Sequence, residues 1–156
     1  MNELKIFPLL ILFITISMAC QSRLQKELPN DLVIKFKSTE MEPGGSPAGY
    51  IRTVIISGNQ MEVERSRCSR GKKVTLDEKE IRSLYGALVK SEFDLIRNGA
   101  GDGNGEEFKE IYLKTGDASK IVRKGKNFPL SGNENERFNE VWTTMLDISF
   151  EKVGPC

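Results

Sequence analysis

The hydrophobic period of this chain switches between two and 3.6 residues along its length, and that alternation bounds the folds open to it. Leu32, Ile34 and Phe36 alternate with Val33, Lys35 and Lys37, the pattern of a strand with one buried face. Tyr50 to Ser57 is rich in β-branched residues and is followed by a second such run, Gln60 to Arg67. Between them, Gly58-Asn59 predicts a two-residue hairpin, because glycine supplies the positive φ that a tight turn demands. The period then lengthens: Ile81, Leu84, Tyr85 and Leu88 fall at i, i+3, i+4 and i+7, one apolar stripe of a helix. Thr75-Leu76-Asp77-Glu78 has the form of a capping box ahead of it, with acids at its start and Lys90 near its end to suit the macrodipole. Phe108 to Lys114 and Ser119 to Lys124 predict a second hairpin through Gly116-Asp117. A closing helix from Ser131 or Asn133 sets Phe138, Val141, Trp142 and Met145 on one face. Strand, hairpin, helix, hairpin, helix predicts an α+β domain: an antiparallel sheet of about five strands with two amphipathic helices packed on one face. Trp142, Tyr50 and Tyr85 read as core residues in that arrangement rather than as exposed binding anchors.

The N-terminal residues carry an address rather than a fold. Met1 to Lys5 is a short polar start and Ile6 to Met18 an apolar run too short to span a bilayer comfortably, the proportions of a signal peptide. The run ends in Ile16-Ser17-Met18-Ala19-Cys20, which resembles the lipobox of bacterial lipoproteins, departing from it at Ser17, where leucine is usual. The resemblance implies cleavage between Ala19 and Cys20, diacylglycerol on the Cys20 thiol and a fatty acid such as palmitate on the new amino terminus. Each buried methylene contributes about 0.8 kcal/mol, so two or more chains anchor the protein durably where one does not. In a Gram-negative host Gln21 lacks the acidic retention signal of such lipoproteins, which implies the outer membrane. Ser17 and Ala19 also satisfy ordinary signal-peptide cleavage, which would release a soluble periplasmic or secreted protein. The expected organisation is a signal peptide over 1–19, a lipidated cysteine and polar tether over 20–30, one α+β domain over 31–150 and a tail over 151–156.

Composition narrows the chemistry. The chain has no histidine, which removes the usual Ser and Cys triads and any His-built zinc site. Its 23 basic and 22 acidic residues create no global field for nucleic acid, and no nucleic-acid partner is expected. With Cys20 used for lipid, Cys68 and Cys156 remain as an even pair in an oxidising compartment; a disulfide and two unpaired thiols are both open.

Two clusters are candidate sites. Arg65, Arg67, Arg70, Lys72 and Lys73 crowd around Cys68 and could meet an anionic envelope component or an acidic protein surface; the alternative is a basic hairpin end without a dedicated partner. Asp102, Asn104 and Glu106 stand at alternate positions, as at the opening of a calcium loop, but Leu113 occupies the place of the bidentate Glu. A solvated glycine-rich loop explains that stretch, and no cofactor or metal is expected.

The hairpin, the helix ending near Phe93, the glycine-rich acidic loop and the second hairpin together are loosely similar to small bacterial domains of the emfourin type, over about Asp31 to Ser149. That group includes inhibitors of secreted metalloproteases, so the resemblance implies a non-catalytic protein-binding module, with no inhibitory residue to carry over. A structural or assembly lipoprotein, and an enzyme built on carboxylates such as Asp102, Glu106 and Glu107, are the competing readings.

Overall fold

The computed structural model describes Leu24 and residues 27–40, 50–65, 71–98 and 108–153. It is an α+β fold in which one open antiparallel sheet carries two helices on a single face. The strands are β1 (Val33–Glu40), β2 (Tyr50–Ser57), β3 (Gln60–Arg65), β4 (Lys72–Thr75), β5 (Phe108–Thr115) and β6 (Ala118–Gly125), in the spatial order β4-β3-β2-β1-β5-β6. Both predicted hairpins form, and in each the positive φ, 57° at Gly58 and at Gly116, falls on the first central residue, as a type II′ turn requires. Asp31 ties the second turn to the start of β1, its carboxylate accepting from the Gly116 amide at 2.7 Å.

The sheet has six strands rather than about five. The extra one is β4, four residues with two lysines, whose short, polar run gives no hydrophobic period to read. Its presence moves the start of the first helix. Thr75 belongs to the strand, its hydroxyl accepting from Gln60 Nε2 at 3.1 Å. The capping box forms two residues later: Asp77 accepts from the Glu80 amide and Glu80 from the Asp77 amide, each at 2.8 Å. This helix, α1 (Glu78–Lys90), is followed by a 3-10 turn, Phe93–Leu95, and the chain closes with α2 (Gly132–Val153). Between α1 and that turn Glu92 adopts a left-handed φ of 46°, a place usually given to glycine; its carboxylate bonds to Arg137 of α2.

Alternation sorts the sheet. Ile34, Phe36, Val54, Ile56, Met61, Val63, Ile111, Leu113 and Val122 are all buried on the helix side, where they meet Leu84, Leu88, Phe138, Val141, Trp142 and Met145. Trp142 is 5% exposed, as the helical pattern predicts, stacked on Phe138 and edge-on to Phe36 with centroids 6.0 and 5.9 Å away. Tyr85 is buried too, while the side chain of Tyr50 lies outside the described residues. Lys90 pairs with Glu140 at 2.7 Å and Glu80 with Lys152 at 2.8 Å, so α1 runs antiparallel to the C-terminal part of α2. The domain is larger than 31–150: Leu24 and Leu28, within the expected tether, pack against the core, and α2 runs on to a buried Val153. Among the described residues no helix is long and apolar enough to cross a membrane.

Candidate functional site

At one end of the helix-covered face the apolar alternation gives way to cations. Ser38 lies two residues after Phe36, Arg52 two before Val54, Lys109 two before Ile111 and Lys124 two after Val122, so each keeps the parity of the core. The strand register sets them side by side: Ser38 opposes Arg52 on β2 and Lys109 on β5, and Lys109 opposes Lys124 on β6. Arg65 of β3 opposes Arg52 and continues the row along the backbone.

Helix α2 crosses the strands over this row and gives Arg52, Lys109 and Lys124 an aromatic ring each. Lys124 Nζ lies 6.0 Å from the Phe138 centroid, Lys109 Nζ 5.3 Å from Trp142, and Arg52 Cζ 4.9 Å from Phe150. Along α2, Trp142 and Phe150 lie about 6 and 18 Å beyond Phe138. Across the sheet, β5 and β2 lie about 5 and 14 Å from β6. The two rulers run nearly in step, which is why successive strands meet successive rings. Each ring contact is worth about 0.5–1 kcal/mol at partly exposed positions.

The row opens into a cleft of about 250 Å³ lined by Ser38, Thr39, Phe108, Lys109, Lys124 and Lys126. A turn closed by two backbone hydrogen bonds between Gly125 and Phe128, 3.2 and 3.1 Å, carries Lys126 to its rim. Thr39 Oγ1 accepts from the Phe108 amide at 3.0 Å and fixes one wall. Lys124 donates to Asn139 Oδ1 at 2.6 Å, and its ammonium is held below the usual lysine range, first by burial and then by the neighbouring Lys109 charge. Arg52 Nε is buried and makes no hydrogen bond. None of Arg52, Lys109 and Lys124 forms an ion pair among the described residues; the acid next to Lys109 in sequence, Glu110, sits on the opposite face and pairs with Arg123 at 2.5 Å. Chemically the arrangement gathers donors and positive charges, and among the described residues no carboxylate pairs with Arg52, Lys109 or Lys124.

The clusters singled out from the sequence are placed differently. Lys72 and Lys73 point to opposite faces of β4: Lys72 Nζ donates to the Val153 carbonyl at the end of α2, 2.8 Å, and Lys73 pairs with Glu62 on the open face at 3.3 Å. The side chain of Arg65, all of Arg67, Arg70, Cys68 and Cys156, the Ala19 and Cys20 cleavage site, and Asp102, Asn104 and Glu106 lie outside the described residues. Sequence reading missed Arg52, Lys109 and Lys124 because a basic residue at a strand end reads as solvated. The available signal was parity, since each lies two residues from an apolar residue of the buried face.

A scan of protein-family models finds no match to this chain, and a search of curated proteins finds none either.

Proposed function

We propose that this chain is an exported, lipid-anchored protein of a bacterial envelope whose α+β domain is a non-catalytic module that binds an acidic partner. The observation that carries the reading is the row of Arg52, Lys109 and Lys124, like charges gathered on the helix side of the sheet with no carboxylate to pair them among the described residues. A fold gains nothing from such crowding by itself: like charges directly opposed across strands destabilise a sheet. A partner bearing negative charge converts that cost into binding energy and specificity. Support for the anchor comes from the sequence, Ser17-Met18-Ala19-Cys20 after an apolar run of signal-peptide length. The loose similarity to emfourin-type domains supports a protein, such as a secreted protease, as the partner class, and anionic envelope material offers the same charge.

Two measurements test the two halves separately. Intact mass and detergent partitioning of the protein from its native host should show a peptide beginning at Cys20 with diacylglycerol and a fatty acid, both lost in Cys20→Ala; an unmodified protein in the aqueous phase refutes the anchor. Binding of the Cys20→Ala chain to isolated envelopes should weaken with added salt and with Lys109→Glu. Binding indifferent to both refutes the cationic row as the contact.

A further inference from the structure

We propose that the cationic cleft recognises a phosphoryl group, an inference that rests on reading the domain as a binding module and names what that module holds. Lys109 and Lys124 are directly opposed in the β5–β6 register on the same face, close enough for each charge to be felt by the other. Burial and this proximity already pull Lys124 toward its neutral form. Lys126 enters from the turn, Ser38 and Thr39 from β1, and Arg52 follows Ser38 one strand further along. Donors therefore arrive from β1, β5, β6 and a turn, on different sides of one small space.

That geometry discriminates among anions. A planar carboxylate presents its two oxygens in one plane and is best met by a single guanidinium fork. A phosphoryl group presents oxygens in several directions, with one negative charge in a diester and up to two when terminal, and that spread of acceptors suits point-like ammonium groups approaching from separate walls. The cleft, about 250 Å³, falls below the roughly 300–1,000 Å³ of sites that enclose drug-sized ligands. It fits a phosphate, or the phosphate of a larger molecule whose remainder stays outside. Two sources share this chemistry: a terminal phosphate on a soluble molecule, and the phosphodiester of a lipid headgroup.

The sole tryptophan reports on the site, because Lys109 Nζ lies 5.3 Å from the Trp142 ring centre. The experiment titrates the full chain carrying Cys20→Ala, in non-ionic detergent at constant ionic strength, with inorganic phosphate, glycerophosphoglycerol, acetate and chloride. Trp142 emission and thermal unfolding are read in parallel. Phosphate is expected to saturate and to stabilise the fold, with acetate and chloride far weaker. Lys124→Ala should weaken phosphate by about tenfold or more, and Lys124→Arg should retain most of it. Lys120→Ala, which removes the same charge about 13 Å down the same strand, should leave it unchanged. Glycerophosphoglycerol binding more tightly than phosphate assigns the headgroup; the reverse order assigns a terminal phosphate. Acetate equal to phosphate overturns the phosphoryl assignment and leaves the acidic-partner reading standing. No saturable response to any anion by either readout overturns both.

Discussion

Arg52→Met isolates the conflict between stability and binding in the cationic row. In the wild-type chain Arg52 Nε–H is buried without an acceptor, and leaving a buried donor unsatisfied costs about 1–3 kcal/mol. Methionine removes that donor and keeps an unbranched chain of similar reach. The loss is the guanidinium's attraction to Phe150, 4.9 Å away, worth about 0.5–1 kcal/mol at this partly exposed ring. The methionine sulfur recovers a comparable contact with the same ring, about 0.3–1.5 kcal/mol. The terms leave a net stabilisation of about 2 kcal/mol. Urea unfolding followed by Trp142 emission should show the midpoint raised by roughly 0.7–2 M with an unchanged slope, for a slope in the usual 1–3 kcal/mol/M range. Saturating phosphate should stabilise the wild-type chain more than the variant and narrow or invert their order. A variant destabilised by 1 kcal/mol or more would refute the reasoning and make Arg52 a structural residue satisfied by its ring.

Three further outcomes follow from local geometry. Asp77→Ala removes one half of the capping box that starts α1 and should cost about 1 kcal/mol in the same urea assay, whereas Thr75→Ala, which removes only a contact to an exposed Gln60 side chain, should change stability by less than about 0.5 kcal/mol. Lysine acylation near pH 9, about where the neutral amine begins to appear, should be faster at Lys124 than at Lys152. Burial and the Lys109 charge lower the first pKa, so more neutral amine exists at a given pH, while the Glu80 hydrogen bond raises the second; equal rates in a peptide map, or a Lys124 rate that phosphate does not slow, would contradict this. Lys72 Nζ, four residues after Cys68, reaches the Val153 carbonyl, three before Cys156, at 2.8 Å, which brings the flanks of both cysteines together. The chain folded under oxidising conditions should therefore carry no free thiol at either position, and alkylation of Cys68 or Cys156 without prior reduction would refute the bridge.

The sequence was most legible where a single period ran uninterrupted. Ile81, Leu84, Tyr85 and Leu88 mark the buried stripe of α1, and Phe138, Val141, Trp142 and Met145 that of α2, because helical spacing leaves few other ways to bury them. Gly58 and Gly116 fix both hairpins, because each supplies the φ the turn needs. Legibility failed where pairing, rather than composition, makes the element. The lysines of β4 form a strand because β3 offers an edge, with Lys73 opposite Glu62 and Val74 opposite Met61, and nothing within Lys72–Thr75 reports that partner. The same reason hid the cleft: Ser38, Arg52, Lys109 and Lys124 lie far apart in sequence and share a row only through the register of four strands. The helix cap slipped by two residues because Thr75 and Asp77 both satisfy the local pattern, and the strand claimed the first.

The packing of Leu24 against the core constrains how an anchored domain would meet its membrane. Four peptide units separate Leu24 from Cys20, and even fully extended they reach no more than about 14 Å. A chain acylated at Cys20 is thus held against the bilayer, since a domain of this size is only about 35 Å across. Inserting about ten Gly and Ser residues between Gln21 and Leu24 adds a root-mean-square reach of about 17 Å. In zwitterionic vesicles, energy transfer from Trp142 to a headgroup acceptor should fall on insertion, because the tether alone sets the height there. In vesicles rich in phosphatidylglycerol the transfer should persist if the cleft grips headgroups, and fall equally if its phosphoryl ligand is soluble. Unchanged transfer in the zwitterionic case would mean that the short tether does not set the domain's height, and would remove the argument that Leu24 keeps the cleft within reach of lipid.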